Sequence, residues 1–297
     1  MSTSAKSTLS GKIVASAMRR RINKLSVDST ISSAISTLIK YKIGGLLVVD
    51  RQQNPVGVVS KTNILGAYYA SLPLDSPLEH LMTSPPLFCR LDDPLENALE
   101  KMKEHQIYRL YVQDPDNGEI VGALAYPDIV AMLYEYCSRC PQSLFIKTAD
   151  SSEAGIERTV VGDCMTRDIK SINADDLLFQ VVEELTMHHM GAILVTDSAG
   201  CGLGVISKTD LILAYNHGVS LETPATELMS VPVRSCREND MLEEAIRSMI
   251  FSDVHRLFVK VSSAEEFCGV FSLTDAARNR SGSCQACISS RIQITPH

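Results

Sequence analysis

Apolar residues recur at helical spacing at Ile31, Ala34, Ile35 and Leu38, and again at Leu242, Ala245, Ile246, Met249 and Ile250. That period predicts an amphipathic helix in each place. A short apolar run follows, Leu46 to Val49 after the first helix and Leu257 to Val259 after the second, with matching runs at Leu110 to Val112 and Ile193 to Val195. A turn rich in Asp, Gly, Asn or Ser then leads into a second strand opening on glycine, so each helix is expected to be followed by a β-hairpin. A Ser or Thr stands just ahead of Asp or Asn at the end of that strand and a new apolar helix begins, as in Ser207-Lys-Thr-Asp210 before Leu211 to Tyr215. With a leading strand, the predicted unit is strand, helix, two strands, helix.

The glycine-led segments give the pattern its register. They read Gly57-Val-Val-Ser-Lys-Thr-Asn63, Gly122-Ala-Leu-Ala-Tyr-Pro-Asp128, Gly204-Val-Ile-Ser-Lys-Thr-Asp210 and Gly269-Val-Phe-Ser-Leu-Thr-Asp275. The first and third are 147 positions apart, and so are the second and fourth. Met18, Met82, Met165 and Met229 open the four units with the same 147-residue offset between halves. The chain therefore reads as a doubled pair of α/β (α+β) units, at 11–70, 77–136, 158–217 and 224–281, with connecting and terminal segments at 137–157 and 282–297. A unit of about 60 residues buries too little surface to be secure alone, so pairing between units is expected.

Composition narrows the class. Of 297 residues, 45% are apolar, enough for a real core, and no stretch approaches the roughly 20 unbroken apolar residues of a membrane span. The Ser/Thr-rich start, Met1 to Lys12, has no apolar centre, and a cytoplasmic location is expected. The net charge of −7 with scattered signs leaves no basic face for nucleic acid; Arg19, Arg20 and Arg21, the one tight basic run, read as a solvated edge. Nine cysteines without an export signal are expected to be mostly free thiols.

These motifs resemble the CBS (cystathionine beta-synthase) domain family, whose signature is a Gly-led strand followed by Ser/Thr-x-x-Asp at a helix start. The resemblance spans about Gly11 to Arg280. It implies four βαββα units forming two Bateman modules, pairs joined through their sheets, in a pseudo-symmetric disc whose clefts bind adenine nucleotides. Ile107-Tyr-Arg-Leu-Tyr-Val112 and Val254-His-Arg-Leu-Phe-Val259 resemble in particular the gamma regulatory subunits of AMP-activated protein kinase. Tyr108, where that pattern has His, and Asn63, where most units place Asp, depart from it.

A nucleotide needs an apolar slot, an acceptor for ribose hydroxyls and donors or cations for phosphate. Asp128, Asp210 and Asp275 stand where a carboxylate can accept from a ribose, and Asn63 holds the same place more weakly. Ser60, Ser207 and Ser272, with Thr62, Thr209 and Thr274, lie at helix starts, where free N–H groups and the dipole favour an anion. Arg109, His255 and Arg256 follow the first helix of the even-numbered units, and Lys61 and Lys208 add point charges. Against this stands a purely local role, because Ser-x-x-Asp is also a capping box. In the second unit Ala125 and Tyr126 replace the hydroxyl residues and Pro127 removes a donor. His188 and His189 lie near a helix end without partners at metal-ligand spacing.

Cys137-Ser-Arg-Cys140 and Cys284-Gln-Ala-Cys287 are offset by the same 147 residues. Brought together they suit zinc or an iron–sulfur cluster, held apart each is a thiol switch, and as copies of one another they need bind nothing. No Walker loop or activated-nucleophile signature occurs. The expected function is a non-enzymatic sensor of AMP, ADP or ATP acting on a partner protein, a kinase in the reading closest to the gamma subunits. The alternative is a scaffold organised by metal or redox chemistry at the cysteine pairs. A homodimer fits either reading.

Overall fold

The computed structural model describes residues 11–139 and 159–279. Four three-stranded sheets are present among them, each carrying two helices. In the first repeat β1 (Lys24–Ser26) leads into α1 (Ile31–Lys40), the hairpin β2 (Gly45–Val49) and β3 (Pro55–Ser60), and α2 (Lys61–Tyr69). The second contains β4 (Phe88–Arg90), α3 (Leu95–Glu104), β5 (Arg109–Gln113), β6 (Ile120–Ala125) and α4 (Tyr126–Arg139). The third contains β7 (Ser171–Asn173), α5 (Leu178–Met187), β8 (Ala192–Thr196), β9 (Gly202–Ser207) and α6 (Lys208–Asn216). The fourth contains β10 (Ser235–Arg237), α7 (Leu242–Phe251), β11 (Arg256–Lys260), β12 (Phe267–Ser272) and α8 (Leu273–Asn279). The predicted βαββα unit is thus the observed one.

In every repeat the first strand runs parallel to the second and the third antiparallel to it. A parallel pair needs a crossover, which the first helix supplies; the antiparallel pair needs only a turn. The hairpin register slips at the same point four times, after Val48, Val112, Val195 and Val259. The first helices end alike as well. Lys42, Gln106, His189 and Asp253 adopt positive φ of 50–54°, and the following Ile43, Ile107, Met190 and Val254 each donate back to a carbonyl in the last turn. This left-handed cap turns the chain sharply into the hairpin and satisfies carbonyls the helix leaves open.

The chain divides into two compact units, one containing the second and fourth repeats with residues up to Arg20, the other the first and third repeats with the segment up to Leu87. In the latter the core merges two repeats: Ile31, Ile35, Leu38 and Leu65 pack in one cluster with Leu178, Val182, Leu185 and Ile212. Helices meet here, α2 against α6, α2 against α5 and α1 against α6. In the former unit α4 packs on α8 and α7, burying Ile129, Val130 and Leu133 along with Ala245, Met249 and Ala277. Each Leu or Ile removed from water in this way contributes about 1.5–3 kcal/mol.

The repeated Met and Gly prove to be contact partners. Residues following each methionine bridge the glycine-led strand of another repeat: Arg19 to Ala123, Thr83 to Val58, Thr166 to Val270 and Ser230 to Val205, each through a reciprocal pair of backbone hydrogen bonds. The methionine then lies against the glycine itself. A Cβ at Gly57 would stand 2.6 Å from Met82 Sδ, at Gly122 2.8 Å from Met18 Sδ, at Gly204 2.8 Å from Met229 Sδ and at Gly269 2.5 Å from Met165 Sδ. So Met18 closes on the second repeat, Met82 on the first, Met165 on the fourth and Met229 on the third. Glycine is required at these positions for lack of room.

Among the described residues no helix is long and apolar enough to cross a membrane. Cys137 falls in α4, and Cys140, Cys284 and Cys287 lie outside the described residues. No group of three or more His, Cys, Asp or Glu among the described residues is placed to hold a metal ion.

Candidate ligand site at the helix starts

In the unit of the first and third repeats, α2 and α6 begin alike. Ser60 Oγ accepts from the Asn63 N–H at 3.3 Å while Asn63 Oδ1 accepts from the Ser60 N–H at 2.9 Å. Ser207 and Asp210 repeat this at 3.3 and 2.7 Å. The capping boxes considered for these motifs are therefore formed, and they fix the turn between strand and helix. They leave a difference, however. Asp210 spends only Oδ2 on the cap, taking both the N–H and the hydroxyl of Ser207, and its Oδ1 takes no hydrogen bond from a described residue. Asn63 is fully used, since its amide nitrogen donates to Leu81 O at 2.8 Å and Thr83 Oγ1 at 3.0 Å.

The two helix starts face one another. Lys61 Nζ donates to Thr209 Oγ1 at 2.7 Å, and Lys208 Nζ to Thr62 Oγ1 at 2.8 Å. Each ammonium thus sits over the first turn of the opposite helix, where the dipole is positive and a cation is disfavoured. Two lysines and two helix N-termini concentrate positive potential at one place, an arrangement complementary to a phosphate.

The unit of the second and fourth repeats is built differently at equivalent positions. Tyr108 and His255 stack across it with ring centroids 6.1 Å apart, and the Tyr126 ring stands 5.2 Å from Tyr108. Tyr108 is 36% exposed, and the partial desolvation of its phenol raises its pKa, opposed by the positive charges of Arg256 and Arg109. Burial lowers the Arg256 pKa, and Asp275 and Tyr108 act the other way. Since a guanidinium stays charged in a protein, Arg256 is a cation kept partly out of water. Arg109 Nε is buried with no acceptor, a donor whose desolvation is uncompensated within the described residues. Asp275 caps α8 by accepting from Ser272 N–H at 2.9 Å and Ser272 Oγ at 2.6 Å, again through Oδ2 alone. Thr274 occupies the second position of α8.

Asp128 has a different fate. Its Oδ2 accepts from the Ala125 N–H at 2.9 Å, its Oδ1 pairs with Arg19 Nε, and the residue is 8% exposed. Arg19, read from the sequence as part of a solvated edge, is exposed as that reading expects, and it is also the partner of a buried acid. The missed signal was its place directly after Met18, a position that bridges another repeat's strand in all four copies. His188 pairs with Glu184 one turn earlier at 3.4 Å, and His189 is the left-handed residue after α5, so both serve the helix end.

What this fold and its helix starts define is a tandem βαββα repeat protein with paired polar sites. The chain belongs to the CBS domain family, which matches residues 14–70, 78–135, 161–217 and 225–282. The 5'-AMP-activated protein kinase subunit gamma-3 of Homo sapiens is 25% identical over 194 residues, covering 62% of this chain and 37% of that protein. This chain therefore aligns with little more than a third of the length of that relative. Inosine-5'-monophosphate dehydrogenase of Methanocaldococcus jannaschii is 28% identical over 106 residues, 36% of this chain and 20% of the enzyme. Among solved structures, protein MJ1225 of the same archaeon, whose description suggests an archaeal homologue of g-AMPK, superposes with a TM-score of 0.74 at 18% identity, covering 90% of this chain and 99% of that one. At that identity the likeness is one of fold.

Proposed function

We propose that this protein is a cytoplasmic regulatory sensor that binds an adenine nucleotide, AMP, ADP or ATP, and passes its occupancy to a partner protein. The observation that carries the reading is the meeting of the α2 and α6 starts, where Lys61 and Lys208 cross to Thr209 and Thr62 beside the half-used carboxylate of Asp210. Phosphate belongs at the lysines and helix termini, and a ribose diol at Asp210 Oδ1. In the other unit His255, Arg256, Ser272, Thr274 and Asp275 supply an equivalent set, with Tyr108 and Tyr126 offering aromatic faces for a base. A nucleotide that favours one arrangement of the repeats shifts the population a partner sees, by no more than its difference in affinity for the two. The gamma-3 relative makes a kinase the first partner to test. No catalytic step is assigned to these residues.

Thermal denaturation with AMP, ADP and ATP tests the reading. A ligand at about 100 times its dissociation constant adds about 2.7 kcal/mol to stability, and Lys61→Met with Lys208→Met should abolish the shift caused by the nucleotide bound there. Absence of a shift with all three nucleotides overturns the proposal.

A further inference from the structure

The residue after each repeat's leading methionine lies against the glycine-led strand that leads to the acid or amide of another repeat, giving four copies of one arrangement with three different outcomes. Arg19 pairs with Asp128 Oδ1, and the Ala125 N–H takes Oδ2. Thr83 Oγ1 accepts from Asn63 Nδ2, and the Ser60 N–H and hydroxyl take Oδ1 of the same amide. Ser230 and Thr166 occupy the corresponding places toward Asp210 and Asp275, and neither side chain bonds the acid among the described residues. Asp210 Oδ1 and Asp275 Oδ1 accept no hydrogen bond there, whereas both oxygens of the Asp128 carboxylate and both ends of the Asn63 amide are engaged.

We propose that Arg19 is a built-in occupant of the second repeat: its guanidinium takes the place at Asp128 that a ribose diol takes at Asp210 and Asp275, so the sites of the third and fourth repeats are open and that of the second is closed. This rests on the nucleotide reading above and deepens it, by assigning which acids receive ligand and which residue decides. The chemistry is direct. Asp128 is buried while the Arg19 side chain is 65% exposed, so the guanidinium covers the acid from the solvent side, and a carboxylate oxygen that already accepts this charge-assisted hydrogen bond has less to offer a neutral hydroxyl until Arg19 swings away. Thr83 does the same for the first repeat more mildly, by tying down an amide that is already committed to its cap.

Isothermal titration with AMP as the probe tests this. Asp210→Ala with Asp275→Ala is expected to remove the binding seen in the parent. Adding Arg19→Ala or Arg19→Gln to that double variant should create a new AMP site, tighter than residual binding by roughly tenfold or more, the worth of one charge-assisted hydrogen bond. Asp128→Ala in the same background should remove the new site again. Arg19→Gln keeps the side chain as far as Cδ and a polar end while removing the charge, so a loss of fold in Arg19→Ala, visible as a lost melting transition, does not end the test. If both Arg19 variants melt like the double variant and neither gains AMP binding that depends on Asp128, the inference is overturned. A parent that binds no AMP defeats the nucleotide reading alone if the Arg19 variants gain a site, and both claims if they do not.

Discussion

Tyr68 and Tyr215 stack with ring centroids 4.8 Å apart and planes 17° from parallel, and each hydroxyl donates to a carbonyl just beyond the other's helix, Tyr68 to Val219 and Tyr215 to Leu72. The two tyrosines are 147 positions apart, as are the two carbonyls and the two lysines whose ammonium groups cross nearby. The first and third repeats are therefore joined by a self-complementary contact of the kind a two-fold dimer makes, here within one chain. Burial pushes the Tyr68 phenol up to about 12, so both rings remain neutral donors at physiological pH.

That contact has a measurable energy. Tyr68→Ala and Tyr215→Ala are each expected to cost about 3 kcal/mol in urea unfolding, in the range of other large aromatic truncations. Their double variant should cost less than the two together by about 0.5–1.5 kcal/mol, the worth of the stacked pair. Strict additivity would mean that the rings do not interact.

The Met and Gly partnership predicts an intolerance of the smallest possible addition. A Cβ on Gly122 would meet Arg19 O and Met18 Sδ, both at 2.8 Å. Backbone cannot give way as a side-chain tip can, so Gly122→Ala is expected to destabilise by about 1–3 kcal/mol. Gly66→Ala, where nothing lies within 4 Å of the new atom, should be neutral or stabilising by a few tenths, since it sits within α2. Chemical denaturation of the two variants side by side decides the matter.

The left-handed caps predict a gain. Lys42 and His189 hold φ of 50° and 51°, where a Cβ is crowded and glycine is not. Lys42→Gly or His189→Gly is expected to raise stability by about 0.5 kcal/mol or more, after the extra freedom glycine has in the unfolded chain is subtracted. A lowered urea midpoint for both would show that the cap is not strained.

The thiols respond to pH in a fixed order. Burial pushes Cys89 and Cys236 up to about 12 and Cys164 up to about 11, whereas Cys201 is exposed. At pH 8 an alkylating reagent is expected to modify Cys201 promptly and leave Cys89 and Cys236 unmodified in the folded protein, by mass mapping of peptides. The folded thiols keep their protons above the ordinary thiol value of 9.0, where unfolded chains have lost them. Their contribution to stability is complete below about pH 9 and is lost as the pH rises toward 12. A stability flat between pH 8 and pH 11 would contradict the burial of these groups.

The repeat, its βαββα order and the capping motifs were legible in the sequence because each is set within a few residues: apolar period, turn composition and the Ser-x-x-Asp spacing act locally. The 147-residue offset went further, since it named equivalent positions in the two halves. It did not say which equivalents touch. That Tyr68 meets Tyr215, that Met18 lies on Gly122 and that Arg19 satisfies Asp128 depend on segments distant in the chain being brought together by burial of shared apolar faces. Periodicity records which face of an element is buried, and a buried face is satisfied by any well-fitting apolar partner. The choice among partners is made by shape and by the pairing of buried polar groups, and both come into being only when the chain has folded.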